Sequence, residues 1–168
     1  MSEFTFMKIQ CEILKDVEKY HKGKDRFEWH YCDIGEKAFI TDGHAAVIIP
    51  KEELYLDAEK IPFGRTIEKR GVDQYLNDKG LVELELRSTF EQKMGNRTRK
   101  ICLLKSKGNT EKFYVNKAYV DWFKEFKGAQ GIVFKGDYAS NRVLVYWFDV
   151  CVGLILIIRG VGVEKLEE

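Results

Sequence analysis

Lys15, Lys19 and Lys22 fall at i, i+4 and i+7. On a helix that spacing stacks three ammonium groups in one row. Lys117, Lys124 and Lys127 line a second stretch of helical pattern, interrupted by Asp121 and Glu125. Such rows suit the phosphates of a nucleic acid, giving affinity that ignores sequence and falls with salt. The competing explanation is that lysines fill the solvated face of any amphipathic helix. Lys24 and Arg26 extend the first row. A further basic group, Lys93, Arg97, Arg99 and Lys100, surrounds Gly95-Asn96. Its alternative reading is a charged turn that protects a sheet edge.

Residues suited to catalysis are sparser. Asp42 and His44 lie two apart in a turn, and no serine or cysteine in a strained elbow accompanies them. Asp137 and Asp149 fall in loops, with no spacing that argues for a paired-carboxylate metal site. There is no phosphate-cradling glycine loop of either common type. Cys11, Cys32, Cys102 and Cys151 are scattered through apolar runs without a CxxC pair, so four reduced, buried thiols are expected. His21, His30 and His44 do not complete a zinc site. The expectation is a protein that is not an enzyme and uses no cofactor or metal.

The elements that would position these residues follow from pattern. At 168 residues the chain is expected to form one domain, or one domain with an insertion. Phe4–Gln10 reads as a strand and Cys11–His21 as a helix with Leu14, Val17 and His21 on its apolar face. Three short strands follow, 27–32, 37–41 and 45–49, with Asp42-Gly43 as a type I′ turn and Pro50 closing the unit. Residues 51–110 are less regular. They hold short helical patterns at 57–60 and 71–76, and strands at 81–88 and 99–104. Lys112–Val115 is again a strand. Asn116–Lys127 is a helix capped by Asn116, with a stripe of Tyr119, Trp122, Phe123 and Phe126 that serves as core rather than as a base-stacking platform. Strands at 132–135, 142–148 and 151–158 follow. The order strand–helix–strand–strand–strand thus occurs twice, in unit one (4–50) and unit two (111–160), around an insertion (51–110). This predicts an α+β fold of two βαβββ units with both helices on one side of the sheets, plus an inserted hairpin region.

Formal charge is +1, too close to neutral to favour a polyanionic partner, so any nucleic-acid case rests on local distribution. The longest apolar run, Val150–Ile158, is too short and too β-branched for a membrane span. No membrane partner is expected, and the lack of a signal-like start places the chain in the cytoplasm by expectation.

Three segments carry a family resemblance. Ala38-Phe39-Ile40-Thr41-Asp42-Gly43-His44 resembles a turn of the bacterial DNA sliding clamp, where alanine-threonine-aspartate-glycine-histidine-arginine joins two strands. Gly153–Arg159 is similar to the clamp's closing strand, and Phe113–Tyr119 to a strand-to-helix junction of a clamp domain. Each clamp domain is a pair of βαβββ units. The resemblance covers both ends of the chain and leaves out the insertion. It implies a clamp-like domain in replication or a mobile element, with double-stranded DNA contacted through Lys15, Lys19, Lys22, Lys117, Lys124 and Lys127. It also implies a pocket, lined by Thr41, Gly43 and His44, for peptide motifs of replication proteins. Ala45 and Ala46 stand where the family has arginine and leucine, and Ile157 replaces its proline. Ring closure by a single-domain chain would need a homo-oligomer of about six copies. The alternative is a protein-interaction or inhibitory module that keeps the fold without binding DNA.

Overall fold

The computed structural model describes residues 6–21, 28–61, 63–108, 111–124 and 129–159, the side chains of Tyr20 and His21 excepted. The chain is α+β, with nine strands and three α-helices among these residues. It divides into two compact units, residues 1–77 and 78–168.

Unit 1 begins with helix α1 (Met7–His21). Met7–Gln10 is therefore helical and not the expected strand. The apolar residues Phe6, Ile9, Ile13 and Val17 recur at helical spacing and are all buried. This stripe extends one turn further back than the pattern after Cys11 indicates. It also displaces Leu14, expected on the buried face, to 40% exposure. Strands β1 (His30–Asp33), β2 (Lys37–Thr41) and β3 (Ala45–Pro50) form an antiparallel meander. The first five residues of β3 are buried without alternation, as a strand covered on both faces requires. Among the described residues unit 1 thus runs α–β–β–β. Helix α2 (Lys69–Leu76) buries Val72.

Gln10 ties α1 to the chain after β3. Its Nε2 donates to the Glu53 carbonyl at 2.9 Å, and its Oε1 accepts from the amides of Tyr55 (2.7 Å) and Leu56 (3.3 Å). One buried amide side chain thereby satisfies three backbone groups that lie outside any ladder.

Unit 2 contains β4 (Val82–Met94), β5 (Arg97–Lys105), β6 (Lys112–Asn116), α3 (Lys117–Lys124), β7 (Ile132–Asp137), β8 (Arg142–Trp147) and β9 (Val150–Leu156). Its strand order is β9-β8-β7-β4-β5-β6, with every pairing antiparallel. The β6–α3–β7–β8–β9 succession is the βαβββ order expected of residues 111–160. Asn116 Oδ1 accepts from the Ala118 amide at 3.0 Å, which is the expected cap. Val120 and Phe123 bury the face of α3 that packs on β5 and β6. Tyr119 and Trp122 meet edge to face at 4.8 Å. Phe126 lies outside the described residues.

The last strand ends earlier than expected. After Leu156 the chain departs from β8. The Ile157 amide donates to the Asn141 carbonyl (3.1 Å) and the Ile158 amide to the Tyr114 carbonyl on β6 (2.7 Å). The two ends of the six-strand order are joined by that last bond. Ile158 there packs on a buried cluster of Ile101, Leu103 and Tyr114.

Candidate nucleic-acid interface

The two helices carry their lysines differently. On α1, Lys15 and Lys19 are exposed and one turn apart, and neither joins an ion pair among the described residues. On α3, Lys117 Nζ donates to Asp121 Oδ2 at 2.7 Å, an i,i+4 pair. That hydrogen bond raises the Lys117 ammonium's pKa, so the residue is charged but its charge is locally balanced. Lys124 is exposed at the end of α3. Lys22 and Lys127, with Lys24, Arg26 and Glu125, lie outside the described residues. Lys15 and Lys19 belong to unit 1, Lys117 and Lys124 to unit 2.

Thr41, Gly43 and His44 do meet in one turn. Thr41 Oγ1 donates to the Ala45 carbonyl (2.6 Å) and accepts from the Gly43 amide (2.9 Å). Asp42 Oδ1 accepts from the amides of His44 (2.9 Å) and Ala45 (3.0 Å). Asp42 and His44 themselves do not have positive φ; within the turn only Gly43 does, at +91°. A type I′ turn needs positive φ at both central residues, so the expected Asp42-Gly43 turn is not formed. The centre shifts by one residue because the Asp42 side chain captures the following amides. The Thr41 hydroxyl, buried, is occupied on both its donor and its acceptor side by this turn.

The inserted hairpin is longer than its sequence pattern indicates. β4 and β5 stay paired to Met94↔Arg97, around the two-residue turn Gly95-Asn96. Gly95 has φ +64° while Asn96 does not have positive φ, which fits the glycine-first II′ hairpin. β7 pairs with β4 only at Val82–Leu84, and β6 with β5 only at Ile101–Lys105. A β-bulge at Arg87 intervenes, where such an extra residue bends and twists a strand. Glu91↔Lys100, Gln92↔Arg99, Lys93↔Thr98 and Met94↔Arg97 therefore form a two-stranded arm with no flanking strand among the described residues. Arg99 Nε donates to Gln92 Oε1 across it at 2.8 Å.

The cysteines depart from expectation in part. Cys32 and Cys102 are buried, and burial pushes both thiols up. Cys11 is exposed and Cys151 half-buried, because Cys11 faces away from the α1 stripe and Cys151 lies beside the β8–β9 turn. Asp33 is held below the usual carboxylate range by hydrogen bonds from Lys51 Nζ (2.7 Å) and the Gly35 amide (2.9 Å). Among the described residues no three histidine, cysteine or acidic side chains converge to hold a metal ion. No helix of the described residues is long and apolar enough to cross a membrane. Unit 2 also holds a groove of about 320 Å³ lined by Glu111, Lys112, Tyr114, Tyr138 and Ile158. Beside it the Arg159 guanidinium stacks 4.3 Å above the Tyr138 ring and donates to Asn141 Oδ1 at 2.7 Å.

No protein-family model, curated protein or solved structure matches this chain.

Proposed function

We propose that this chain is a non-enzymatic, clamp-like module acting in DNA transactions, holding duplex DNA by its phosphate backbone. The observation that carries the reading is the α1 row, where Lys15 and Lys19 stand exposed, one turn apart and outside any ion pair among the described residues. Ammonium groups so placed exchange condensed counterions for phosphates without first breaking a protein contact. The βαβββ order of unit 2 and the resemblance of its flanking segments to a sliding clamp support the same reading. In this proposal Lys22, Lys124 and Lys127 are further phosphate contacts, each belonging to its own unit. Thr41, Gly43 and His44 would offer a replication-protein peptide only the backbone and imidazole side of their turn.

Anisotropy of a labelled duplex, titrated with protein across a salt series, tests this. Lys15→Ala/Lys19→Ala is expected to flatten the slope of log affinity against log salt by about 2 units. Light scattering on the same sample reads the oligomeric state that a ring requires. Affinity independent of salt, or no binding by the unaltered chain, overturns the reading. The Lys117–Asp121 pair favours a second reading, a protein-interaction module with a neutralised helix face. That reading predicts no duplex binding at any salt.

A further inference from the structure

We infer that the β4–β5 arm is a separate DNA-binding element, a basic β-ribbon that enters the major groove of B-form duplex. It stands independently of the helix rows. Between Glu91 and Lys100 the arm carries Lys93, Arg97, Arg99 and Lys100 against the single carboxylate of Glu91. Lys93, Arg97 and Lys100 are exposed and join no ion pair among the described residues. The excess is local, since the whole chain is only +1.

The register shows how these charges are distributed. Cross-strand partners share a face. Arg97 and Arg99 therefore lie on one face, opposite Met94 and Gln92, while Lys93 and Lys100 lie on the other, opposite Thr98 and Glu91. Each face carries two cations. A flat, acidic protein surface would engage only one of them. A groove has two phosphate walls, and a thin ribbon within it is flanked by both. Four residue pairs give a free length of about 14 Å, more than the roughly 8.5 Å depth of the B-DNA major groove, which admits a two-stranded ribbon. The deep, narrow major groove of A-form RNA does not.

The arm's root is fixed where its tip is free. Ile101, directly after Lys100, belongs to the buried cluster with Leu103 and Tyr114, and Phe90 packs against it. The ribbon is thus anchored at its root in the core of unit 2. Arg99, half-buried, is held across the ribbon by Gln92, which fixes its stem.

The test uses the full chain and a labelled 20-base-pair duplex of mixed sequence over a salt series. Lys93→Ala/Lys100→Ala and Arg97→Ala/Arg99→Ala are each expected to flatten the salt slope by about 2 units, and to weaken binding about tenfold or more at low salt. A variant joining Phe90 to Ile101 through a short Asn-Gly turn removes the arm and is expected to lose both contributions. Its urea midpoint checks that unit 2 still folds. The same-sequence RNA duplex is expected to bind at least tenfold more weakly. Equal RNA binding, sensitivity confined to one face, or displacement of DNA by polyglutamate at matched charge each overturns the groove-inserted ribbon. If unaltered protein binds DNA but only Lys15→Ala/Lys19→Ala weakens it, the ribbon is excluded and the helix row stands. If only the ribbon variants weaken it, the reverse holds.

Discussion

Among the described residues each unit buries one acidic or basic side chain, and the two are treated in opposite ways. In unit 2, Arg142 is 2% exposed and fully engaged at the end of β8. Its Nε donates to Ser140 Oγ at 2.8 Å and an Nη to the Lys79 carbonyl at 3.2 Å, while Ser140 Oγ donates to Asp137 Oδ2 at 2.7 Å. In unit 1, Glu53 is 5% exposed, and neither carboxylate oxygen has a hydrogen-bond partner among the described residues. Burial pushes its carboxyl above the usual range. A buried charge is tolerated where its donors are matched, and a buried group without partners sheds its charge instead. Arg142 therefore holds unit 2 together, whereas Glu53 is a standing cost to unit 1.

The sharpest way to break this contrast is Arg142→Ala. It removes one of the largest fully buried side chains and leaves the oxygens around it without their donor. The loss is expected to be about 3 kcal/mol or more, read as a lower urea midpoint for unit 2. A loss below about 1 kcal/mol would mean that water replaces the guanidinium and that the network carries little.

Glu53→Gln acts in the other direction and only above a certain pH. A carboxyl whose folded pKa is raised binds its proton more tightly folded than unfolded. Stability is then greatest below the unfolded value of about 4.3 and falls as pH rises toward the folded value. The Gln variant has no such slope. It is expected to match the unaltered protein near pH 4 and to exceed it by on the order of 1 kcal/mol at pH 8. Parallel stability–pH curves for the two proteins would show that Glu53 finds partners in solution.

Neither buried group is announced by the sequence. Arg142 stands at the head of an apolar run, where a strand's first residue is ordinarily wet. Glu53 follows Glu52 in a charged stretch that reads as surface. Their burial depends on what other segments bring over them, which local pattern does not contain. Unit 2 is the more legible half, because β6, its Asn116 cap and α3 carry local signals. In unit 1 the apolar residues before Cys11 fit a strand by composition and a helix by spacing. Burial of Phe6, Ile9, Ile13 and Val17 along one stripe decides for the helix. The ribbon's cations are visible in the sequence as a cluster around Gly95-Asn96. Its length is not, because residues 88–100 are mostly exposed and show no apolar alternation to mark a strand.

The smallest expected effect concerns the exposed charges, where the contrast between units is a matter of one carboxylate. Asp121→Asn leaves the shape of α3 unchanged and removes the partner that Lys117 donates to. The Lys117 ammonium then loses the hydrogen bond that raises its pKa, and returns toward the ordinary lysine value while staying protonated at neutral pH. Unit 2 should lose little stability, because exposed i,i+4 pairs contribute only marginally. The freed ammonium should add one phosphate contact, steepening the salt slope of duplex binding by about 1 unit. The control is Lys15→Ala/Lys19→Ala in the same background, which still subtracts its own contribution of about 2 units if the two helices act separately. A slope unchanged by Asp121→Asn would remove α3 from the DNA surface. It would leave the α1 row and the ribbon as the contacts to be weighed against each other.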